Sequence, residues 1–188
     1  KLFTRGNGRS GQDISHIVPY LSQLNSVLGE KVTLRGELLM KKSVFQEKYA
    51  SSFANARNLV SGIINQRKNL DSAEAIAKFK DLDFICYEVL YPDMDALEQS
   101  KMFTKINGGD TPIKTEVVES ITLDELSSLL KDWRANYMYE IDGIIVTRNM
   151  LWTKGLKEGN KVGKVKNPEH AFAFKMVLED QVVETFVT

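Results

Sequence analysis

The sequence predicts an α+β fold built largely from antiparallel sheets. Residues 31–40 alternate between apolar and polar side chains, the pattern of a half-buried strand. Residues 83–90 form a nearly continuous apolar run, which is typical of a buried strand. Residues 123–133 instead carry apolar side chains at helical spacing. Because strands and helices are mixed without strict βαβ alternation, an antiparallel arrangement is favoured over a parallel one.

Local start and stop signals predict the remaining elements in order. We expect further strands over residues 1–5, 116–121, 141–147 and 171–178, and a last β-rich piece over 181–188. Residues 13–20 are expected to be irregular because Pro19 interrupts any helix. We expect helices over residues 43–49 (capping box Ser43 and Gln46), 55–66, 73–80 (cap Asp71 or Ser72), 95–106 (stop signal Asn107-Gly108-Gly109) and from Thr122-Leu123-Asp124-Glu125, a second capping box.

Composition excludes several classes of protein. The 188 residues carry 25 basic and 25 acidic side chains, so a general nucleic-acid coat protein, which needs a basic surplus, is disfavoured. No apolar run is long enough to cross a membrane. The single cysteine, Cys86, excludes an intramolecular disulfide and a cysteine-rich zinc site, and we interpret it as a buried, inert thiol. These features fit a cytoplasmic or otherwise intracellular protein.

Glu37 is the first candidate site residue. It shares the polar face of the 31–40 strand with Arg35, opposite an apolar face. A carboxylate in this position can accept hydrogen bonds from a sugar hydroxyl or an adenine amine. The alternative is a solvated Arg/Glu pair of little energetic value, which the local pattern alone favours.

Asp142 and Lys175 are two further candidates. Asp142 precedes Gly143 at the entry to an apolar strand, where a carboxylate can hold a hard cation such as Mg²⁺; a simple Asp-Gly turn is the alternative. Lys175 interrupts the apolar run that begins at Ala171. A buried ammonium is costly unless it meets an anion or water, so a phosphate is a suitable partner; snorkelling at a sheet edge is the alternative.

Three arginines are candidates for phosphate contacts. Arg5 precedes a glycine-rich loop and Arg57 lies in an Asn-Ala-Arg-Asn run, a combination that suits phosphate binding. Arg134 ends the last helix, where favourable interaction with the helix dipole is the alternative role. His16 and His170 have no partner spacing, and we interpret neither as a metal ligand.

Five short motifs in order give the chain a family resemblance. They are Thr4-Arg5-Gly6-Asn7-Gly8, Arg35-Gly36-Glu37, Asn55-Ala56-Arg57-Asn58, Ile141-Asp142-Gly143 and Ala173-Phe174-Lys175. Together they resemble the adenylation domain of NAD-dependent DNA ligases. The resemblance implies a nucleotidyltransferase (ATP-grasp-like) fold over residues 1–180, without its N-terminal part, and the start of a connection to an OB domain over 181–188.

The resemblance also implies the chemistry. In that family a lysine attacks the α-phosphate of NAD and expels nicotinamide mononucleotide, AMP passes to a DNA 5′-phosphate, and the 3′-hydroxyl of the nick displaces AMP. By resemblance, Arg5 and Glu37 contact the AMP moiety and Lys175 meets its phosphate. Asp142 supports chemistry assisted by Mg²⁺, while Arg57 and Arg134 line the side of the NAD phosphates or the DNA backbone. The partners expected are NAD, AMP and nicked duplex DNA, bound by a monomer.

The sequence departs from the family pattern in several places. The nucleophile motif Lys-x-Asp-Gly does not occur in the 188 residues, so we expect a fragment that is inactive alone. Thr147 occupies the position of a family lysine, with Arg148 beside it, Asn7 replaces an aspartate, and Ala56 replaces a proline. These changes predict a divergent member, viral or phage-encoded. Two alternatives stay open: an ATP-dependent ligase or capping-type nucleotidyltransferase, and a non-catalytic domain that binds nucleotide or nicked DNA.

Overall fold

The computed structural model describes residues 1–7, 10–108, 113–151 and 170–176. At the N-terminal end, Phe3 pairs with Asp13 in an isolated antiparallel bridge, so the strand predicted there is reduced to one bridge. Two 3-10 helices follow, Ser15–Tyr20 and Ser22–Val27. The stretch expected to be irregular is therefore helical, and Pro19 lies inside the first 3-10 helix rather than ending it.

A two-stranded antiparallel sheet carries the main core. Its strands are β1 (Thr33–Leu39) and β2 (Asp83–Tyr91), as the alternating and apolar patterns predicted. The apolar face of β1 is confirmed, because its side chains all join the main core: Val32, Leu34, Leu38 and Met40. Phe84 and Cys86 of β2 enter the same core. The opposite face carries the polar side chains of Arg35 and Glu37, and beside them Ile85 and Leu39 belong to a second, smaller apolar cluster.

The described residues contain five α-helices, and four of the five begin at a side-chain cap. They are α1 (Lys42–Lys48), α2 (Ala56–Asn65), α3 (Ala73–Lys80), α4 (Ala96–Asn107) and α5 (Leu123–Asn136). The caps of α2 to α5 each accept a backbone N–H from three residues ahead: Asn55, Ser72, Asp95 and Thr122. The predicted capping box at Ser43 is wrong, because Ser43 lies inside α1 and the N-cap is Lys41, which makes no side-chain cap.

A second antiparallel pair packs against α5. It joins β3 (Ile144–Thr147) to β4 (Ala171–Phe174), with Ile144 opposite Phe174. Ile144 is buried with Leu126 and Leu130 of α5, and Phe174 packs on that cluster. Residues 177 and 178 of the predicted strand, and the piece predicted over 181–188, lie outside the described residues.

The strand predicted over residues 116–121 is wrong. The structure assigns no strand there, and Val117 and Val118 are 74% and 52% exposed. β-Branched residues favour strands only when a neighbouring strand or face accepts them. In the part of the chain that the structure describes, no helix combines the length and apolarity needed to cross a bilayer.

Candidate functional site

Glu37 lies exposed on the polar face of β1. It stands opposite Ile85 in the register, and no hydrogen bond or ion pair engages it among the described residues. The neighbouring Arg35 is committed instead, because its Nη1 lies 2.7 Å from Glu88 Oε2 across the strand pair. Glu37 is therefore a carboxylate presented to solvent on a rigid strand, able to accept hydrogen bonds from a ligand.

The glycine between these two residues is required by the packing of the sheet. A Cβ on Gly36 would lie 2.5 Å from the Phe84 ring and 2.6 Å from the Ile85 carbonyl oxygen. Distances below about 3.0 Å are not compatible with van der Waals packing, so a larger residue would separate β1 from β2. The Arg-Gly-Glu order thus combines a paired arginine, a close backbone contact and a free carboxylate.

Tyr87 is a further candidate site residue that the sequence did not indicate. Its side chain is 47% exposed although it lies within the apolar run of β2. Burial raises the pKa of its hydroxyl, and the charges of Arg35, Glu37, Glu88 and Arg5 all act on it. The hydroxyl therefore lies within the electrostatic influence of charged residues of the first and second motifs and of Glu88. The feature that marks Tyr87 is a half-exposed aromatic ring beside charged residues. This exposure is visible in the structure and not in the sequence.

Arg5 reaches this cluster from the N-terminal loop. Thr4 and Gln12 fix the loop, since the Thr4 amide donates to the Gln12 carbonyl and the Gln12 amide donates to Thr4 Oγ1, both at 2.9 Å. Gly6 turns the chain with φ of 51°, a conformation that favours glycine. The loop thus leaves the Arg5 side chain exposed and close enough to Tyr87 to affect its pKa.

A second cluster joins Asp142 and Lys175, and the charge of Arg57 acts on it. Lys175 Nζ donates to Asp142 Oδ2 at 3.0 Å, and both side chains are about 60% exposed. The hydrogen bond from Lys175 lowers the pKa of Asp142, and the charge of Arg57 acts in the same direction. Lys175 is thus not a buried lysine, as the apolar run suggested, but an exposed cation beside a carboxylate.

Gly143 allows this pair to form. A Cβ there would lie 2.6 Å from the Phe174 carbonyl oxygen and 2.8 Å from Cγ of Lys175. Because glycine has no Cβ, the end of β4 can approach Asp142 closely enough for the hydrogen bond. The Asp-Gly sequence is therefore more than a turn at the entry to β3.

Arg134 is placed differently from the other candidates. Its Nε donates to the Ile141 carbonyl at 3.1 Å, while its own carbonyl accepts a hydrogen bond from Lys42 Nζ at 2.7 Å. These bonds tie the end of α5 to the residue before Asp142 and to the start of α1. The described contacts therefore give Arg134 a role in placing Asp142.

The segment between α5 and β3 connects the two clusters. Ile85, which lies opposite Glu37, is buried with Tyr137 and Tyr139, and Ile141 packs on them. The Tyr139 hydroxyl also donates to Asp83 Oδ2 at 2.7 Å, at the start of β2. The polar face that carries Glu37 is thus bordered by the segment that leads directly into Asp142.

The described residues do not form a metal cage by themselves. No group of three or more histidine, cysteine, aspartate or glutamate side chains converges in the described ranges. Asp142 offers one carboxylate, and its Oδ2 is engaged with Lys175. Mg²⁺ commonly binds through one or two carboxylates together with substrate phosphates and water, so Asp142 fits such an ion only as one ligand among several.

Comparison with known proteins identifies the family. A family model described as the NAD-dependent DNA ligase adenylation domain matches residues 1–179. A protein of Invertebrate iridescent virus 6 named for a DNA ligase is 33% identical over all of this chain, which covers 29% of that protein. The DNA ligase of Acanthamoeba polyphaga mimivirus is 34% identical over 93% of this chain and 26% of its own length, and that of Mycoplasmopsis agalactiae is 28% identical over 95% and 27%.

These matches define an adenylating enzyme domain of the DNA ligase class. The chain belongs to the family of NAD-dependent DNA ligase adenylation domains. The resemblance drawn from five short motifs is thus confirmed, and the relatives include viral proteins. The chain spans a little more than a quarter of the length of these relatives.

Proposed function

We propose that this chain forms part of the AMP site of an NAD-dependent DNA ligase that seals nicks in duplex DNA. The proposal rests on two exposed polar clusters, Glu37 with Tyr87 and Asp142 with Lys175. Both lie beside the segment between α5 and β3. The proposed enzyme is a monomer, works inside the cell where its DNA substrate lies, and adopts the nucleotidyltransferase fold.

The first cluster suits the nucleoside half of AMP. Glu37 has an uncommitted carboxylate that can accept hydrogen bonds from ribose hydroxyls. The half-exposed ring of Tyr87 offers a stacking surface for the base, since aromatic rings stack on every nucleobase. Arg5 adds a positive charge on the same side, where it can contact the sugar or the phosphate.

The second cluster suits the phosphate half. Lys175 and Arg57 are cations beside Asp142, and Lys175 can transfer its hydrogen bond from that carboxylate to an incoming phosphate. Fixed positive charges at phosphorus stabilise the charge that develops during phosphoryl transfer. Mg²⁺ supplies the same kind of stabilisation when bound, with Asp142 as one ligand. Arg57 and Arg134 border the side from which NAD phosphates or the DNA backbone approach.

The proposed reaction proceeds through lysyl-AMP and AMP–DNA intermediates. A lysine amine forms a bond to the α-phosphorus of NAD and loses a proton, while the bond to nicotinamide mononucleotide breaks. The DNA 5′-phosphate then displaces the lysine, and the 3′-hydroxyl displaces AMP. The sequence contains no Lys-x-Asp-Gly motif to provide the lysine. We therefore expect the 188 residues to show no self-adenylation when assayed alone.

Substitutions in the complete ligase of which we propose this chain is a part, called the full-length parent protein below, test this proposal. Glu37→Ala and Lys175→Ala should each slow self-adenylation from NAD by about 100-fold, the usual loss when one electrostatic contact to a transferring group is removed. Both side chains are exposed, so the melting temperature should stay close to that of the wild type.

Lys78→Ala is a matched control for the lysine variant. Lys78 also forms an ion pair, with Glu74 at 2.6 Å, but it lies on α3, and no described contact joins it to either cluster. Its loss should leave self-adenylation unchanged. Wild-type rates in both Glu37→Ala and Lys175→Ala would contradict the assignment of the two clusters to AMP.

A further inference from the structure

β2 contains two β-bulges, and Tyr87 is the extra residue of one of them. Arg35 pairs with Glu88 and Gly36 pairs with Cys86, which leaves Tyr87 as an extra residue without a partner on β1. A second extra residue, Leu90, arises in the same way nearer the end of the strand. A bulge bends its strand and redirects the side chain of the extra residue, and bulges are frequent beside active sites.

The α4 helix holds the first bulge through Asn107. The Oδ1 atom of Asn107 accepts a hydrogen bond from the Cys86 amide at 2.8 Å, and its Nδ2 donates to the Cys86 carbonyl at 3.1 Å. Asn107 is 2% exposed and is the buried polar residue among those described. One amide side chain thus satisfies both backbone groups of the residue immediately before Tyr87.

Gln99, on the same helix, contacts the second bulge in a related way. Its Oε1 accepts a hydrogen bond from the Val89 amide at 3.0 Å, directly before Leu90. Within the described residues, β2 has β1 as its sheet neighbour on one side only. The side-chain amides of α4 therefore replace a strand at the other edge, and each is placed next to an extra residue.

This arrangement is more specific than general packing. Backbone groups on the open edge of a bulged strand have no strand partner there, so the strand can relax toward an unbulged register unless other groups bond them. Asn107 supplies those bonds at Cys86, and the Cys86 thiol lies 3.7 Å from the Glu88 carbonyl across the bulge. Loss of the amide would free Tyr87 to turn and would disturb Glu88, the partner of Arg35.

We propose that Asn107 is a positioning residue that locks the bulge in β2 and so fixes Tyr87 over the nucleotide site. The role rests on the proposed function, because Tyr87 matters in this way only if a base stacks on it. Asn107 itself touches no substrate. It acts through the backbone of Cys86, and its effect should appear in nucleotide binding more than in the chemical step.

The test is single-turnover self-adenylation of the full-length parent protein, measured against NAD concentration. Asn107→Ala should raise the half-saturating NAD concentration by about tenfold, the order of one lost aromatic–base stack, with a smaller change in the maximal rate. Gln99→Ala is the matched control, since it removes an amide from the same helix at the other bulge. It should lower thermal stability without changing the half-saturating concentration.

A double-substitution cycle separates positioning from a merely structural role. If Asn107 acts through Tyr87, then Asn107→Ala should add little to the defect of Tyr87→Ala. Independent effects that multiply would overturn the proposal. If Asn107→Ala does not fold, Asn107→Asp keeps the size and the acceptor but loses the donor to the Cys86 carbonyl, and it should show the same non-additivity with Tyr87→Ala.

The outcomes also distinguish this proposal from the proposed function. NAD labels the wild-type protein if the proposed function is right. If it does, and the Tyr87→Ala and Asn107→Ala variants keep the wild-type half-saturating NAD concentration, then the ligase function stands and the positioning role is overturned. A wild-type protein that NAD does not label would overturn both.

Discussion

Gly143→Ala is expected to disrupt the Asp142–Lys175 pair, because a methyl group has no room there. The added Cβ would lie 2.6 Å from the Phe174 carbonyl oxygen, against the 3.4 Å at which ordinary contact begins. The carbonyl must therefore retreat by about 0.8 Å, and Cγ of Lys175, at 2.8 Å, must move with it. The first atom lies at the end of β4 and the second in the residue that follows it, so the movement separates this end of the chain from Asp142.

The expected cost follows from two opposing effects. Overpacking of this kind destabilises a protein by about 1–3 kcal/mol. Alanine also restricts the unfolded chain and returns about 0.4–1 kcal/mol where its backbone conformation is allowed, as it is here because Gly143 does not have a positive φ. We therefore expect a net loss of about 1–2 kcal/mol in the free energy of unfolding, together with slower self-adenylation in the parent protein.

Gly62→Ala is the control for the same chemical change. Gly62 is exposed inside α2, and no heavy atom lies within 4 Å of its added Cβ. Alanine is the better helix former, so this variant should gain about 0.5–1 kcal/mol. Urea denaturation followed by circular dichroism measures both variants. A Gly143→Ala protein as stable as the wild type, with unchanged self-adenylation, would refute the steric argument.

Three further predictions concern the core and the sheet. Burial raises the pKa of the Cys86 thiol to about 11, so a thiol reagent at pH 8 should react only after denaturant is added, and prompt reaction of the native protein would contradict this. Burial, aided by the hydrogen bond to Asp81, raises the pKa of Tyr49 to about 12. The contribution to folding stability that is linked to this raised pKa is present below pH 10 and is lost as the pH rises toward 12. In a pH titration followed by tyrosine absorbance, the wild type should show one step that Tyr49→Phe lacks, and this step should lie near pH 12. A step near pH 10 would exclude the burial of Tyr49. Gly36→Ala should cost about 2–3 kcal/mol in urea denaturation, because the Ile85 carbonyl cannot withdraw without opening the sheet, and a wild-type midpoint would argue against that contact.

Local signals predicted the elements that depend on neighbours in sequence. The caps at Ser72 and Thr122 start α3 and α5 as expected, because a side-chain acceptor three residues before a free amide is a local arrangement. Ser43 had the same signature but is not a cap, since α1 begins with its N-cap two residues earlier, at Lys41. The apolar Val117 and Val118 predicted a strand that needed a distant partner, and none is provided within the described residues.

The site was predictable only where a motif marked it. Glu37, Asp142 and Lys175 were identified from short motifs, but their roles at the site stay predictions until the variants are measured. Tyr87 could not be found, because its apolar neighbours predict burial, whereas in the folded sheet it is half-exposed and is the extra residue of a bulge. A bulge is a mismatch between two strands about fifty residues apart, and neither strand encodes it alone.

The central claim is that the parent protein transfers AMP from NAD to itself and then to nicked DNA. Incubating the purified full-length protein with NAD or ATP, each labelled in its adenylate group, tests this directly. The protein should become covalently labelled from NAD, and the label should then leave when nicked duplex DNA is added. Labelling from ATP alone, or from neither nucleotide, would contradict the account.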